Sequence, residues 1–323
     1  MDGLLYVLIL LFSFAVTFGF SNVLIPRLKR FGITGNDVNK PDKPEVAEMG
    51  GIAIIAGFTG GVLLAIIFNT FFGFQFQLVP VLAGILTIHS LAFIGIVDDL
   101  LDIPQYIKAF LPLFAAVPLV ALRAAGSTVL TFPFLGAVDL GLFYLIVLIP
   151  IGIAVASNLT NMLAGFNGME AGMGVVIFSA ASLLAMAHGS MEALLLFIPY
   201  LGALLAFLFF NWYPSKVFPG DVGNLTIGAT LAAGVIIGNM ETAGALLLLP
   251  YVVDFFIKAY NRFPSSKWWG DYKGGKLYPL EGKVRGFAQL IMKLSNGISE
   301  RNLVLLFIGM EVVVAAVVLM LYL

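Results

Sequence analysis

The chain has 323 residues, 60% of them hydrophobic and 11% charged. A water-soluble fold of this length cannot hide so much apolar surface, because its exterior must still be wetted. Seventeen Lys+Arg against 18 Asp+Glu leave a net charge of -1, too little for a field that would draw nucleic acid, and zero cysteines exclude disulfides, zinc fingers and thiol catalysis.

Such a composition belongs in a bilayer, as one polytopic helical domain over residues 1–323. Apolar runs long enough to cross roughly 30 Å of hydrocarbon fall at 3–26, 50–71, 78–97, 106–123, 138–157, 168–187, 191–210, 223–240, 242–258 and 302–322. They predict an all-α membrane protein of ten transmembrane helices. The first run follows only Met1-Asp2-Gly3, with no basic region and no small-residue cleavage site, so it reads as a span rather than a signal peptide. The runs are too long for the alternating segments of an outer-membrane barrel.

Ten spans put both termini on one side, and the basic residues choose which. Sixteen of the 17 Lys+Arg fall in or beside the connections 27–49, 98–105, 158–167, 211–222 and 259–301, and Arg123 alone lies on the other face. An excess of Lys and Arg marks cytoplasmic loops. The five connections are therefore expected in the cytoplasm and both termini outside. Most acidic residues share that face, although topology does not require them there. Both signs crowded on one face suit a phosphorylated substrate and a metal ion.

The first of these connections contains Asp37-Val-Asn39-Lys40-Pro-Asp-Lys43-Pro44-Glu45-Val-Ala-Glu48-Met-Gly50-Gly51, a charged, proline-broken loop closing on two glycines. After the third span comes Gly95-Ile-Val-Asp98-Asp99-Leu-Leu-Asp102-Ile-Pro-Gln-Tyr-Ile-Lys108. Three carboxylates within five residues repel one another and are costly beside lipid, unless a cation neutralises them. Oxygen-only ligands suit Mg²⁺, which keeps waters and recruits substrate phosphates. A solvated polar loop is the plain alternative.

After the fifth span, Asn158-Leu-Thr-Asn161-Met-Leu-Ala-Gly165-Phe-Asn167-Gly168-Met-Glu170 places two carboxamides on one helix face. Its glycines let backbone approach a ligand closely. After the seventh, Lys216-Val-Phe218-Pro219-Gly220-Asp221-Val-Gly223-Asn224 sets a tight turn beside a carboxylate. Asp221 there is either a helix cap or a cation ligand. Phe218 could stack on a base. In the last connection Phe287, Leu290, Ile291, Leu294 and Ile298 recur at helical spacing beside Lys283, Arg285 and Lys293, which predicts an interfacial helix within 259–301 lying on anionic lipid. Gly270 through Lys276 fits the outline of a phosphate-binding loop, but Leu277 replaces the hydroxyl that would hold Mg²⁺, and the match reads as chance. His89 and His188 are isolated and read as packing or surface groups.

Taken in order, these loops resemble the polyprenyl-phosphate N-acetylhexosamine-1-phosphate transferases over nearly the whole chain. The stretches that carry the resemblance are NKPDKPEVAEMGG, GIVDDLLDIPQYIK, NLTNMLAGFNGMEAG and FPGDVGNLTIGA. KGGKL and ISERNLVLL look most like the dolichyl-phosphate N-acetylglucosamine branch of eukaryotes and archaea. Bacterial branches usually carry Asp where Ala164 and Asn167 stand, and a histidine motif in the last loop; neither is present here. The resemblance implies transfer of N-acetylglucosamine-1-phosphate from UDP-N-acetylglucosamine to a polyprenyl (dolichyl) phosphate, releasing UMP. It implies Asp98, Asp99 and Lys108 as catalytic residues, and Asn161 and Asp221 as ligands of Mg²⁺ (or Mn²⁺). Gly165, Asn167 and Phe218 would form the uracil pocket and Asp102 would contact the sugar, with Asn158, Lys40 and Glu48 as further substrate-binding residues. Where the dolichyl branch presents arginines to the diphosphate, this chain has Ser265-Ser266-Lys267-Trp268-Trp269, and Lys267 is the stand-in.

Two other readings compete. An intramembrane prenyltransferase would need a second aspartate cluster, where only Asp221 occurs. A secondary transporter would place ionisable groups mid-membrane, where only Glu311 occurs. The partners expected are the UDP-sugar, the lipid phosphate and membrane lipids, with a homodimer left open and no nucleic acid. The eukaryote-like motifs without the loop arginines favour an archaeal plasma membrane over the endoplasmic reticulum.

Overall fold

A computed structural model describes residues 2–124, 126–132, 136–264 and 267–323. The expected loop residues Ser265 and Ser266 lie outside them.

In chain order the elements are α1 (Asp2–Arg30), β1 (Thr34–Asn36), β2 (Glu45–Ala47), α2 (Gly51–Phe72), α3 (Leu78–Leu101), α4 (Gln105–Ala115) and α5 (Val117–Ala124). They continue with β3 (Val129–Phe132), β4 (Gly136–Asp139), α6 (Gly141–Phe143), a π-helical turn Tyr144–Leu148, α7 (Ile149–Met162), α8 (Met169–Ala187), α9 (Met191–Asn211) and α10 (Gly220–Ile237). The last part holds α11 (Glu241–Leu247), α12 (Leu249–Tyr260), β5 (Gly270–Lys273), β6 (Lys276–Pro279), α13 (Phe287–Leu294) and α14 (Glu300–Tyr322). Among the described residues nine helical stretches are long and apolar enough to cross a membrane, and α11 with α12, bent by 63°, would make a tenth.

These segments are helical because lipid offers no partner for a bare backbone amide, so every polar backbone group must be satisfied within its own segment. α8, α9 and α10 form the centre, with 72, 78 and 83% of their apolar stretches buried, whereas α1 has only 22% buried and faces outward. Three spans are irregular, each beside a proline: α4 gives way to α5 ahead of Pro118, the π-helical turn precedes Pro150, and the α11/α12 bend precedes Pro250. A proline lacks the N–H its helix needs and breaks or kinks it there.

Helix boundaries differ from the sequence reading where polar residues continue a helix past its apolar run. α3 carries Asp98 and Asp99 in its last turns, and α10 begins at Gly220, so Asp221 lies in its first turn rather than ahead of it. Three antiparallel two-stranded hairpins, β1–β2, β3–β4 and β5–β6, supplement the helices. The stretch with the outline of a phosphate-binding loop is the β5–β6 hairpin, turning at Gly274 and Gly275, both at positive φ.

Part of the stretch expected as an interfacial helix is helical, as α13, and its apolar face turns into the protein. Its Ala288, Ile291 and Met292 are buried and Phe287 meets Phe307 edge-on at 5.3 Å, while Leu294 is exposed.

The loops at one end of the bundle converge. Phe218 donates its N–H to Ala47 O (2.7 Å), and Gly50 donates to Phe218 O (2.9 Å), stitching the 212–219 connection to the chain entering α2. Asn39 donates through Nδ2 to Gly165 O (3.1 Å) and accepts at Oδ1 from Gly270 N (3.1 Å), so one side chain ties three connections together. α10 packs against α3 and α7, and Thr160 Oγ1 donates to Asn224 O (2.8 Å) across the α7–α10 contact.

Candidate active site

At this converged end α3, α4, α7, α10 and α12 enclose a cavity of about 1090 Å³. One part of its wall is polar, with Glu48, Asp99, Lys108, Asn161 and Asp221. Another is apolar, with Tyr106, Val155, Val252, Phe255 and Phe256.

The polar wall is organised around one ammonium. Lys108, at the start of α4, pairs with Asp98 from α3 and with Asp221 Oδ2 from α10 (2.5 Å). Asp98 is buried, and its Oδ1 also accepts from Ile103 N (2.9 Å). Asp99 points the other way. Its Oδ1 accepts from Asp221 N (2.8 Å) and its Oδ2 from Val222 N (3.3 Å). Asp99 thus satisfies two of the free donors that open α10, and its charge suits the positive end of the helix. The cap that the sequence offered to Asp221 is supplied by Asp99, from a different helix. Gly220 makes the approach possible: its φ is +68°, and a Cβ there would lie 2.6 Å from Asp99 Oδ2.

Beside this cluster Asn161 Oδ1 accepts from Asn224 Nδ2 (3.2 Å), one helical turn beyond Asp221 on the same helix. Asn158 lines the cavity with its amide donated back to Ala154 O (2.8 Å). Glu48 is half-buried, and burial first, then the nearby Asp99 charge, raises its carboxyl above the usual range. The proposed cation ligands fit a hard metal by their chemistry. Asp221 Oδ1 and Asn161 Oδ1 are oxygens, and Mg²⁺ is commonly held by only one or two carboxylates plus waters and substrate phosphates. Among the described residues no three His, Cys, Asp or Glu side chains form a self-sufficient metal cage.

The structure thus brings Asp99, Lys108, Asn158, Asn161, Gly165, Phe218, Glu48 and Asp221 to one cavity, with Asp98 directly behind. Four other expected residues lie elsewhere. Asp102 is exposed at the C-terminus of α3, with φ +50°. Asn167 is buried beneath the cavity: Nδ2 donates to Asp37 (3.0 Å), Oδ1 accepts from Ser215 N (2.9 Å), and its own N–H goes to Glu300 (2.9 Å). Lys40 belongs to the same buried network, paired with Asp37 (2.9 Å) and Glu300 and lying over the Tyr213 ring. Lys267 is half exposed and pairs with Glu281 (2.6 Å); with Arg285 it holds that carboxyl down at about 2. Lys267 is not among the residues that line the cavity, although Trp268 and Trp269 beside it are.

Trp268, Trp269, Glu170 and Lys258 were given no role in the sequence and stand at the site beside the expected Gly165. Gly165 has φ +109°, and a Cβ on it would lie 2.3 Å from the Trp268 ring, which also meets Phe166 edge-on. Trp268 and Trp269 both line the cavity, as do Glu170, whose carboxylate accepts from Gly165 N, and Lys258. The only sequence signal for the tryptophans is their adjacency to Lys267, and for Lys258 its place in the basic cytoplasmic set.

Residues 81–239 match the family model described as glycosyl transferase family 4. A Saccharolobus solfataricus protein, provisionally named a UDP-N-acetylglucosamine–dolichyl-phosphate N-acetylglucosaminephosphotransferase, is 36% identical over 314 residues, covering 97% of this chain and 95% of its own. A Dictyostelium discoideum protein of that name is 29% identical, covering 84% of this chain and 77% of its own. A phospho-N-acetylmuramoyl-pentapeptide-transferase of Halalkalibacterium halodurans is 30% identical, covering 72% of this chain and 75% of its own. With a relative this similar over nearly its full length, and a bundle whose loops converge on one lysine-bridged carboxylate cluster, the chain belongs to glycosyl transferase family 4.

Proposed function

We propose that the protein transfers N-acetylglucosamine-1-phosphate from UDP-N-acetylglucosamine to a dolichyl-type polyprenyl phosphate, giving the lipid-diphosphate sugar and UMP. The observation that carries this reading is the juxtaposition, in one cavity, of the Lys108–Asp221–Asp99 cluster, backed by Asp98, with an apolar wall contributed by α4, α7 and α12. A nucleotide-sugar needs the first and a polyprenyl chain the second. The names of the relatives from Saccharolobus and Dictyostelium point the same way.

In the reaction an oxygen of the lipid phosphate forms a bond to the β-phosphorus. The bond from that phosphorus to the bridging oxygen breaks, and the oxygen leaves with UMP. A phosphate monoester has a second pKa of about 6, so the nucleophile is already ionised at neutral pH and needs no strong base. The main barrier is bringing an anion onto a diphosphate, which calls for charge neutralisation and alignment. Lys108 contributes a fixed ammonium, held by Asp98 so that it cannot swing away. Asp99 fixes the start of α10 and with it the position of Asp221. Mg²⁺, or Mn²⁺ in its place, held by Asp221 and Asn161, would neutralise diphosphate charge when bound. Phe218 and Trp268 offer aromatic faces to the base and sugar.

The converged end is the cytoplasmic one in this reading, because sixteen of the 17 cations lie at it. An archaeal plasma membrane is the membrane it favours. The test is transfer by purified protein in dolichyl phosphate and Mg²⁺, with UDP-N-acetylglucosamine labelled in the sugar and in the β-phosphate. Equal entry of both labels into lipid, with UMP released, is the expected result. Entry of sugar without phosphate, with release of UDP, would replace this chemistry with simple glycosyl transfer.

A further inference from the structure

The cavity is much richer in acids than in cations. Of its charged lining residues Asp37, Glu48, Asp99, Glu170 and Asp221 are acidic, and only Lys108 and Lys258 are basic. A nucleoside diphosphate bound there adds further negative charge. Lys108 is already divided between two carboxylates, Asp98 and Asp221.

Lys258 is placed differently. It stands in the last turn of α12, at the end of the bent ninth span, and pairs with a single carboxylate, Asp254, at 2.8 Å. Its Nζ also donates to Met162 O, the carbonyl adjacent in sequence to Asn161 at the end of α7. An ammonium has three donors, and Met162 O takes one of them, while the contact with Asp254 Oδ2 is an ion pair without hydrogen-bond geometry. Asp254 is buried and is itself anchored, accepting from Phe287 N at 2.7 Å. The pair is therefore held between α12, α13 and the end of α7, and Lys258 is among the residues that line the cavity, as is Asn161, the residue proposed as a metal ligand. Closing the C-terminus of α7 would by itself account for the bond to Met162. It does not account for a cation with donor capacity to spare among the residues lining an acid-rich cavity.

We propose that Lys258 is a substrate-binding cation of this site, donating to an oxygen of the nucleotide-sugar diphosphate, with Asp254 as the residue that positions it. It fills the role that the sequence had offered to Lys267, which is not among the residues that line the cavity. The inference rests on the phosphosugar-transferase reading and adds a residue to it.

The test uses the full chain in lipid nanodiscs and measures inhibition of transfer by UDP and by uridine, alongside the KM for UDP-N-acetylglucosamine. Loss of a charge-assisted hydrogen bond to phosphate corresponds to roughly tenfold to a hundredfold in affinity. Lys258→Met is expected to weaken UDP and raise KM by that order while leaving uridine unchanged, and Lys258→Arg is expected to recover most of the loss. Unchanged UDP inhibition in Lys258→Met would overturn the proposal, as would an equal weakening of UDP and uridine accompanied by a lower melting temperature, the pattern of a purely structural cap. If Lys258→Met does not fold, Lys258→Gln, which keeps a donor but no charge, is judged by the same criteria. Wild-type protein that neither transfers the phosphosugar nor responds to UDP would remove the underlying reading; wild-type activity with an indifferent Lys258→Met removes only the role of Lys258.

Discussion

At the scale of single residues, neighbouring carboxylates have been given different work by the direction each side chain takes. Asp98 faces Lys108, whereas Asp99 turns to the backbone of α10. Their adjacency in the sequence makes a cation site legible but gives no means of telling them apart, because both partners are more than nine residues away or on another helix. Asp221 is held at its backbone by Asp99, so removing its carboxylate should leave the helix start intact. Asp221→Ala is expected to abolish divalent-dependent transfer with a melting temperature close to wild type; normal turnover would remove it from the site. Lys108 is different, since its loss leaves the buried Asp98 without its counter-charge. Lys108→Met should cost about 3–5 kcal/mol, the scale of breaking a buried pair. The double variant Lys108→Met/Asp98→Asn should recover part of that in thermal unfolding. Additive losses would show that the two side chains do not interact.

Among the elements, the spans were legible and the hairpins were not. A membrane helix announces itself because twenty apolar residues have no other economical place, and the ten expected runs coincide with nine helices and one bent pair among the described residues. Strands of three or four residues such as β1 and β2 have too few positions to show an alternating pattern. The broken ninth span was readable only as Pro250 at its middle, and the 63° bend falls there, between α11 and α12. The loops were quoted in the sequence as separate motifs, yet they behave as one element. Asn39 joins the first, third and last of them by two hydrogen bonds of 3.1 Å. Each such bond contributes about 1 kcal/mol net. Asn39→Ala is therefore expected to raise hydrogen exchange in β5–β6 selectively, with the transmembrane helices unaffected. Uniform exchange across the protein would show that the loops are held by packing instead.

For the whole molecule, topology is the property that the sequence argues most strongly and that direct labelling can check. The chain contains no cysteine, so single cysteines can be introduced without background. Lys273→Cys, in the exposed β5–β6 hairpin, is expected to react with a membrane-impermeant maleimide only from the cytoplasmic side. Ser127→Cys, beside the β3–β4 hairpin, should react only from the other. Reaction of both from one side would overturn the ten-span arrangement.

The amino-acid sequence by itself determined the solvent of this protein, the number and place of its spans and the chemistry of its loops. Hydropathy and residue type are local properties that need no partner to be read. Only the tertiary structure decided which loop residues share a cavity. It placed Asn167 and Lys40 in a buried network beneath the site, Lys267 on the surface with Glu281, and Lys258 with Trp268 on the cavity wall. These assignments depend on contacts between segments up to more than two hundred residues apart, and charge and spacing along the chain carry no information about which of several similar side chains the packing turns inward.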